Sequence, residues 1–280
     1  PNSYVVRIKE IEVGSSDIRP NRLLVMDASG DTIDLPGTET IEPTFGLPAM
    51  WVDPDNREEA TFKGYTVVDP ATVITTHLTE LIRDNMSELL SYVETQNLLD
   101  ELPNEHQKLV GEVVPNQISV GGIQRVLQNL LNERVSIRDL PTILEGISEA
   151  CAFTRNVTQL TEHVRSRLAR QISEQNSTED NFIPLVTLSA EWEQIFSDSI
   201  LDQGEDKQLS MAPSQLQRFI GAVRTTLDEL ADKEDPPVVL TSPTARPFVR
   251  SIIERFRPTT SIMSQNELHP KAKIKTLGQI

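Results

Sequence analysis

The chain is short of several things, and each shortage removes a class of function. It holds one cysteine, Cys151, in 280 residues, so no intrachain disulfide can form and a reducing compartment fits. No stretch approaches the roughly 18 apolar residues that a membrane-spanning helix needs. The N-terminus reads YVVRIKEIEV, an alternating strand pattern rather than a secretory leader. Pro1 accordingly reads as a boundary inside a larger protein. Positive charge is scarce, with 26 Lys and Arg against 42 Asp and Glu, a formal net of −16. Phosphate neutralisation supplies most of the affinity for duplex nucleic acid, so an acidic body argues against that partner. What basic charge there is gathers at the end. From Pro243 onward seven Lys and Arg stand against Glu254 and Glu267, a net of +5 that leaves −21 on the remainder. Such a basic end reads first as a solvated face.

Catalytic and cofactor chemistry is equally thin. Gly121-Gly122 precedes a helical pattern but lacks the Lys-Ser/Thr of a phosphate-cradling loop. His77, His106, His163 and His269 are far apart, and none has a neighbouring His or Cys at metal-ligand spacing. Each is expected on a surface or a helix side. No basic residue adjoins Cys151, which is expected to be a buried structural thiol. Glu191 and Glu193 flank Trp192 and fall on different helix faces, not in an acid/base pair. No enzyme signature, metal or cofactor is expected.

What is present is helix pattern. Ile123, Val126, Leu127 and Leu130, then Leu140, Ile143, Leu144 and Ile147, repeat the i, i+3, i+4, i+7 spacing of one helix face. They predict two helices on one apolar seam, joined by NERVSIRD. Asp139 is favoured over Ser136 as the second N-cap, because Pro141 then falls in the first turn, where its missing N–H costs nothing. Val135 and Ile137 are expected to form a short extended piece.

The flanks complete an outline. Residues 4–13 read as one strand with a change of parity, a bulge or bend. Strands are predicted over 23–26, 50–52 and 65–68, a reverse turn at Ser29-Gly30, and a turn-rich piece over 32–43. Residues 57–62 read as one or two helical turns ended by Gly64. Asp69-Pro70 opens a helix running on towards Leu89. Helices follow over 93–102, 105–113 and 160–172, the last with Val164 and Leu168 inward and Arg165, Arg167 and Arg170 outward. The polar SEQNSTEDN is the linker candidate. Beyond it, strands at 182–188, 238–241 and 261–263 alternate with helices at 190–201, 213–232 and 245–256, with a last strand at 273–277. That alternation predicts a largely parallel sheet. The fold class is α+β in several subdomains: 1–20 with 70–89, an inserted β-rich unit at 21–69, a helical unit at 90–172 and an α/β unit at 173–280. The inserted unit is too small to cover its apolar residues. Leu24, Trp51 and Val67 read as its core, and Phe45, on a loop between turn formers, as the residue most free to line a groove.

IRPNRLLVMD, EPTFGLPAMWV, GYTVVDPATVITTHLTELI and VLQNLLNERVSIRDLPTILE, in this order and through to KAKIKTLGQI, resemble the cytoplasmic domain of the type III export gate (FHIPEP) family. GYTVVDPATVITTHL is closer to its flagellar branch than to its virulence-injectisome branch, and Pro141 departs from the family pattern. The resemblance implies a non-enzymatic domain at the cytoplasmic face of the bacterial inner membrane, in a protein whose other half spans that membrane. It implies a nonameric homo-oligomeric ring that receives export substrates and chaperone–substrate complexes. Export ATPase components and other gate proteins are further implied partners. The family binds chaperones in a hydrophobic dimple beside an acidic residue. Carried over by motif, Glu42 is that acid and Phe45 the central aromatic, with Leu24, Met26, Leu47, Val68, Val73 and Thr76 around it. Two rivals remain, an injectisome gate domain and a helix-turn-helix regulator. The second is disfavoured because 140–147 carries Glu145 and no Lys or Arg.

Overall fold

A computed structural model describes residues 2–204, 206–230 and 235–280. The chain divides at Leu89/Leu90 into two compact units.

The first unit begins with β1 (Ser3–Ile8) and β2 (Ile11–Asp17), an antiparallel hairpin. One bent strand was expected here. The parity change marks a chain reversal instead, made by Lys9 and Glu10 at φ 49° and 67°. Both turn residues are left-handed, the geometry that matches strand twist but is normally announced by Asn or Gly. A four-stranded antiparallel sheet follows, in the order β4 (Gly37–Ile41), β5 (Pro48–Val52), β3 (Leu23–Met26), β6 (Thr66–Val68). β4 lies in the piece expected to be only turns. Its sequence GTETI is that of an exposed edge strand, with little apolar signal to read. Across the pleat, Leu24 faces Trp51 and Val68, while Val25 faces Met50 and Val67. The two faces accordingly build separate clusters, one around Leu24, Ala49, Trp51 and Val73, the other around Val25, Leu35, Met50 and Val52.

α1 (Arg57–Phe62) ends ahead of Gly64 at φ 82°. α2 (Pro70–Asp84) starts from Asp69, whose Oδ1 accepts the Thr72 N–H at 2.9 Å. It stops short of the expected reach to Leu89. Asn85 closes it, donating Nδ2–H to the Leu81 carbonyl at 2.7 Å, and α3 (Met86–Leu89) is a separate turn.

The second unit layers helices over a sheet. Its helical layer is α4 (Tyr92–Asp100), α5 (Asn104–Val113), α6 (Val120–Asn132), α7 (Leu140–Ala150), α8 (Val157–Arg167) and α9 (Ala169–Gln175). Asp139 caps α7, accepting the Thr142 N–H at 3.3 Å. Val135 and Ile137 lie in a loop that pairs with no strand.

The sheet is all-parallel, in the order β11 (Ile262–Ser264), β10 (Val238–Thr241), β7 (Ile183–Thr187), β12 (Ile274–Gln279). Ile183, Leu185, Val238 and Met263 pack with the helical layer. Val186, Val239 and Ile262 pack on the other side with α10 (Ala190–Ser199), α11 (Pro213–Glu229) and α12 (Arg246–Ile253). The expected end of α11 at Asp232 lies outside the described residues. Between α10 and α11 sits an unpredicted hairpin, β8 (Ile200–Gln203) and β9 (Asp206–Leu209). The helix expected to run to 201 ends two residues earlier to enter it.

Two expectations are corrected in this unit. The polar stretch 173–181 is no tether. Its first three residues end α9, and Ser173 is buried, donating to the Glu267 carbonyl and accepting the His269 N–H, both at 2.9 Å. Arg165 does not face outward. It is 2% exposed and forks onto Glu267 through Nε and Nη2 at 2.9 and 2.8 Å. Arg246, equally buried, grips Glu133 through Nη1 and Nη2 at 2.7 and 2.9 Å and Glu162 through Nε at 2.6 Å. Both guanidiniums also donate to the Ile262 carbonyl on β11. The partners lie 84 to 113 residues away in sequence, so helix periodicity alone cannot reveal that these charges are neutralised inside.

Candidate functional site

The residues singled out by resemblance lie in the first unit. Leu24 and Met26 project from β3 to one face of the sheet, where Val68 of β6 and Val73 of α2 join them, with Trp51 beneath. Central position decides their exposure. Leu24 and Val73 are buried, while Met26, Val68 and Thr76 are half-buried. Leu24 and Val73 lie inside this cluster, and Met26 and Val68 are its partly exposed members.

Glu42 and Phe45 occupy the loop between β4 and β5. The Glu42 side chain is turned inward, with the residue 3% exposed. Its Oε1 accepts the Thr44 N–H at 2.9 Å and its Oε2 accepts the Phe45 N–H at 2.7 Å. Its backbone closes the same loop, donating N–H to the Leu47 carbonyl at 2.9 Å and accepting the Gly46 N–H at 3.0 Å. Gly46, at φ 70°, supplies the left-handed turn that a side chain would strain. Phe45 is left 66% exposed. Leu47 is half-buried, its Cδ2 near the Gly30 turn. The Thr44 hydroxyl is buried and has no hydrogen-bond partner among the described residues. The carboxylate thus holds a loop that presents an aromatic ring. It is not itself a presented charge.

A polar pair near Glu42 escaped the sequence. His77, which falls among the apolar positions of the α2 pattern, is buried, with Nδ1 2.6 Å from the Tyr4 hydroxyl of β1. Burial, and after it the Glu42 charge, raises the Tyr4 hydroxyl above its ordinary range. One signal was available. His77 lies at i+4 from Val73 and i−4 from Leu81, in register with the apolar face of α2.

Among the described residues no group of His, Cys, Asp and Glu is arranged to hold a metal ion, and no helix is long and apolar enough to cross a membrane. Cys151 is buried, its Sγ 3.9 Å from the Gln117 carbonyl, and burial pushes its thiol up despite Arg155 nearby.

Known proteins bear on this geometry. A family model described as the FHIPEP family matches residues 1–273. The flagellar biosynthesis protein FlhA of Caulobacter vibrioides is 55% identical over 277 residues, covering 99% of this chain and 40% of that protein. The chain therefore spans about two fifths of that relative. Among solved structures, Chlamydia pneumoniae CdsV in its complex with CdsO is similar at a TM-score of 0.82 and 26% identity, covering 99% of this chain and 80% of that one. Nonameric EPEC SctV-C shares the fold at a TM-score of 0.78 and 22% identity, covering 100% and 84%.

Proposed function

The chain belongs to the FHIPEP family, and on that premise we propose that it is the cytoplasmic docking platform of a flagellar type III export gate. It receives export substrates and chaperone–substrate complexes and passes them to the membrane channel. The observation that carries this reading is Phe45, a large aromatic ring 66% exposed on a loop fastened from within by a buried carboxylate. Covering an exposed apolar ring with a partner is favourable, and the fastened loop sets Phe45 apart from the exposed Phe62 and Phe153. In this reading the half-buried Met26, Val68 and Thr76 belong to the same surface. A chaperone helix laying one apolar face into such a groove would use Phe45 as its anchor.

The flagellar assignment draws on the high identity to a protein named for flagellar biosynthesis. A homo-oligomeric ring draws on the neighbour described as nonameric, and contact with further export components on the neighbour solved with CdsO. The chain itself is assigned no catalytic step.

Calorimetric titration with a flagellar chaperone–substrate complex tests the reading. Saturable binding is expected, and Phe45→Ala should lose about 2 kcal/mol or more, the usual cost of an anchor aromatic. The exposed ring contributes little to folding, so the variant should melt with the parent. Equal binding by both proteins would remove Phe45 from the site.

A further inference from the structure

The free edge of β12 and the cleft beside it have a chemistry opposite to the rest of the chain. A cleft of about 480 Å³ opens at the start of β12, lined by Arg170, His269, Lys271 and Lys273, with Glu174 and Thr178. Arg170, Lys271 and Lys273 are exposed, and among the described residues their side chains make no ion pair or hydrogen bond. Lys275, farther along the strand, lies over the Phe182 ring at 4.9 Å. Glu179 and Asp180 stand exposed in the turn ahead of β7 and thin this positive field without pairing to these bases. In a chain of net −16, uncommitted cations around one cleft are a departure from the general pattern.

β12 is the outermost strand of its sheet and pairs with β7 alone. The Lys273 carbonyl accepts the Ile183 N–H at 2.8 Å, and Ile274 lies opposite Ile183. In a parallel ladder, residues bonded to the neighbour alternate with residues whose N–H and C=O point away. The backbone groups of Ile274 and Thr276 therefore face outward. Ile274 is 55% exposed, and Lys275 and Thr276 are exposed beside it. An open strand edge of this kind is a template for another strand.

We propose that β12 and this cleft receive an extended acidic segment of a partner protein, which adds as a strand beside β12 and sets its carboxylates against Arg170, Lys271 and Lys273. Charge selects an acidic ligand. The outward backbone groups favour a polypeptide over a phosphate or a lipid headgroup, because a chain with its own amides can replace water at both the N–H and the C=O groups. This surface belongs to the second unit, so it stands or falls independently of the Phe45 loop.

The experiment is fluorescence anisotropy of a labelled peptide of about eight residues alternating Glu with Val, titrated with the full 280-residue chain. Saturable binding is expected, weakened at least about tenfold in the Lys271→Glu/Lys273→Glu variant. Thr276→Pro, which deletes an outward N–H and leaves the β7 ladder intact, should lose binding similarly. If that variant melts early, N-methylation of alternate peptide amides reads the same bonds. No saturable binding, equal binding of a Lys/Val peptide, or unchanged binding by both the proline variant and the methylated peptide overturns the proposal. So does capture of the chain by phosphatidylserine vesicles while the acidic peptide stays free.

Discussion

Two carboxylates, Glu133 and Glu162, hydrogen-bond to the Arg246 guanidinium, with Glu267 a more distant third at 3.5 Å, and replacing the first two by glutamine should have unequal consequences. Glu133 accepts from Arg246 at 2.7 and 2.9 Å, with Arg165 Nη1 at 3.3 Å and Arg250 Nε at 3.9 Å. Burial works against its charge, but Arg246 and then Arg165 outweigh it, and its carboxyl is held down at about 2, from 4.5. At about 1.4 kcal/mol for each pH unit, that difference corresponds to about 3 kcal/mol of stability. The sign follows from the depressed value. The contribution is complete above pH 4.5 and is lost as pH falls towards 2. Glu162 draws on Arg246, which it shares with Glu133. There burial outweighs the ion pair and pushes the carboxyl up, so keeping Glu162 ionised at neutral pH is a cost that acidification relieves. Urea unfolding at pH 7 should accordingly find Glu133→Gln about 3 kcal/mol less stable, within the range for breaking a buried pair. Glu162→Gln should be less destabilising than Glu133→Gln, because burial already works against the Glu162 charge. Equal losses in the two variants, or a Glu133→Gln variant as stable as the parent, would refute the reasoning. So would a parent whose stability is flat between pH 5 and pH 2.

Other expectations are as direct. Glu42→Ala removes two charge-assisted bonds to the Phe45 loop, each worth about 1.5–3 kcal/mol; amide exchange at Thr44 and Phe45 should accelerate and chaperone affinity fall, although no partner needs to touch the carboxylate. Gly37→Ala would place a Cβ 2.5 Å from the Trp51 carbonyl oxygen and 2.6 Å from Met50 Cγ; thermal melting should show a loss of about 1–3 kcal/mol. Cys151, buried and with its thiol pushed up, should resist an aromatic disulfide reagent at pH 8 and react at the rate of a free thiol once urea unfolds the chain; fast labelling of the native chain would contradict its placement.

Where the fold was legible, the cause was local. Asp69-Pro70, Asp139 and Gly64 set helix ends by capping and turn chemistry within a few residues, and the amphipathic faces of α6 and α7 repeat at helix spacing. β4 and the β1–β2 turn were hidden because GTETI has no apolar face and Lys9-Glu10 is not a turn dipeptide by composition. Arg165 and Arg246 look like solvent-facing charges until Glu267, Glu133 and Glu162 arrive from distant segments. At the candidate site, motif resemblance named Leu24, Met26, Val68 and Val73, which pack on one face of the β3 sheet, and separately the loop that carries Glu42, Phe45 and Leu47. It did not foresee that Glu42 faces inward, or that Tyr4 and His77 pair close by. Those facts depend on side-chain direction and on contact between elements some seventy residues apart.

The arginine bonds to the Ile262 carbonyl set a limit on growth. With a guanidinium from α8 and another from α12 occupying that carbonyl, the β11 side of the parallel sheet cannot accept a further strand. Copies of the chain that meet through this parallel sheet can then join only β12 to β12. Such a contact is two-fold symmetric and consumes both open edges at once, so it ends at a pair. A sheet open on both sides would add copies without end and build fibres.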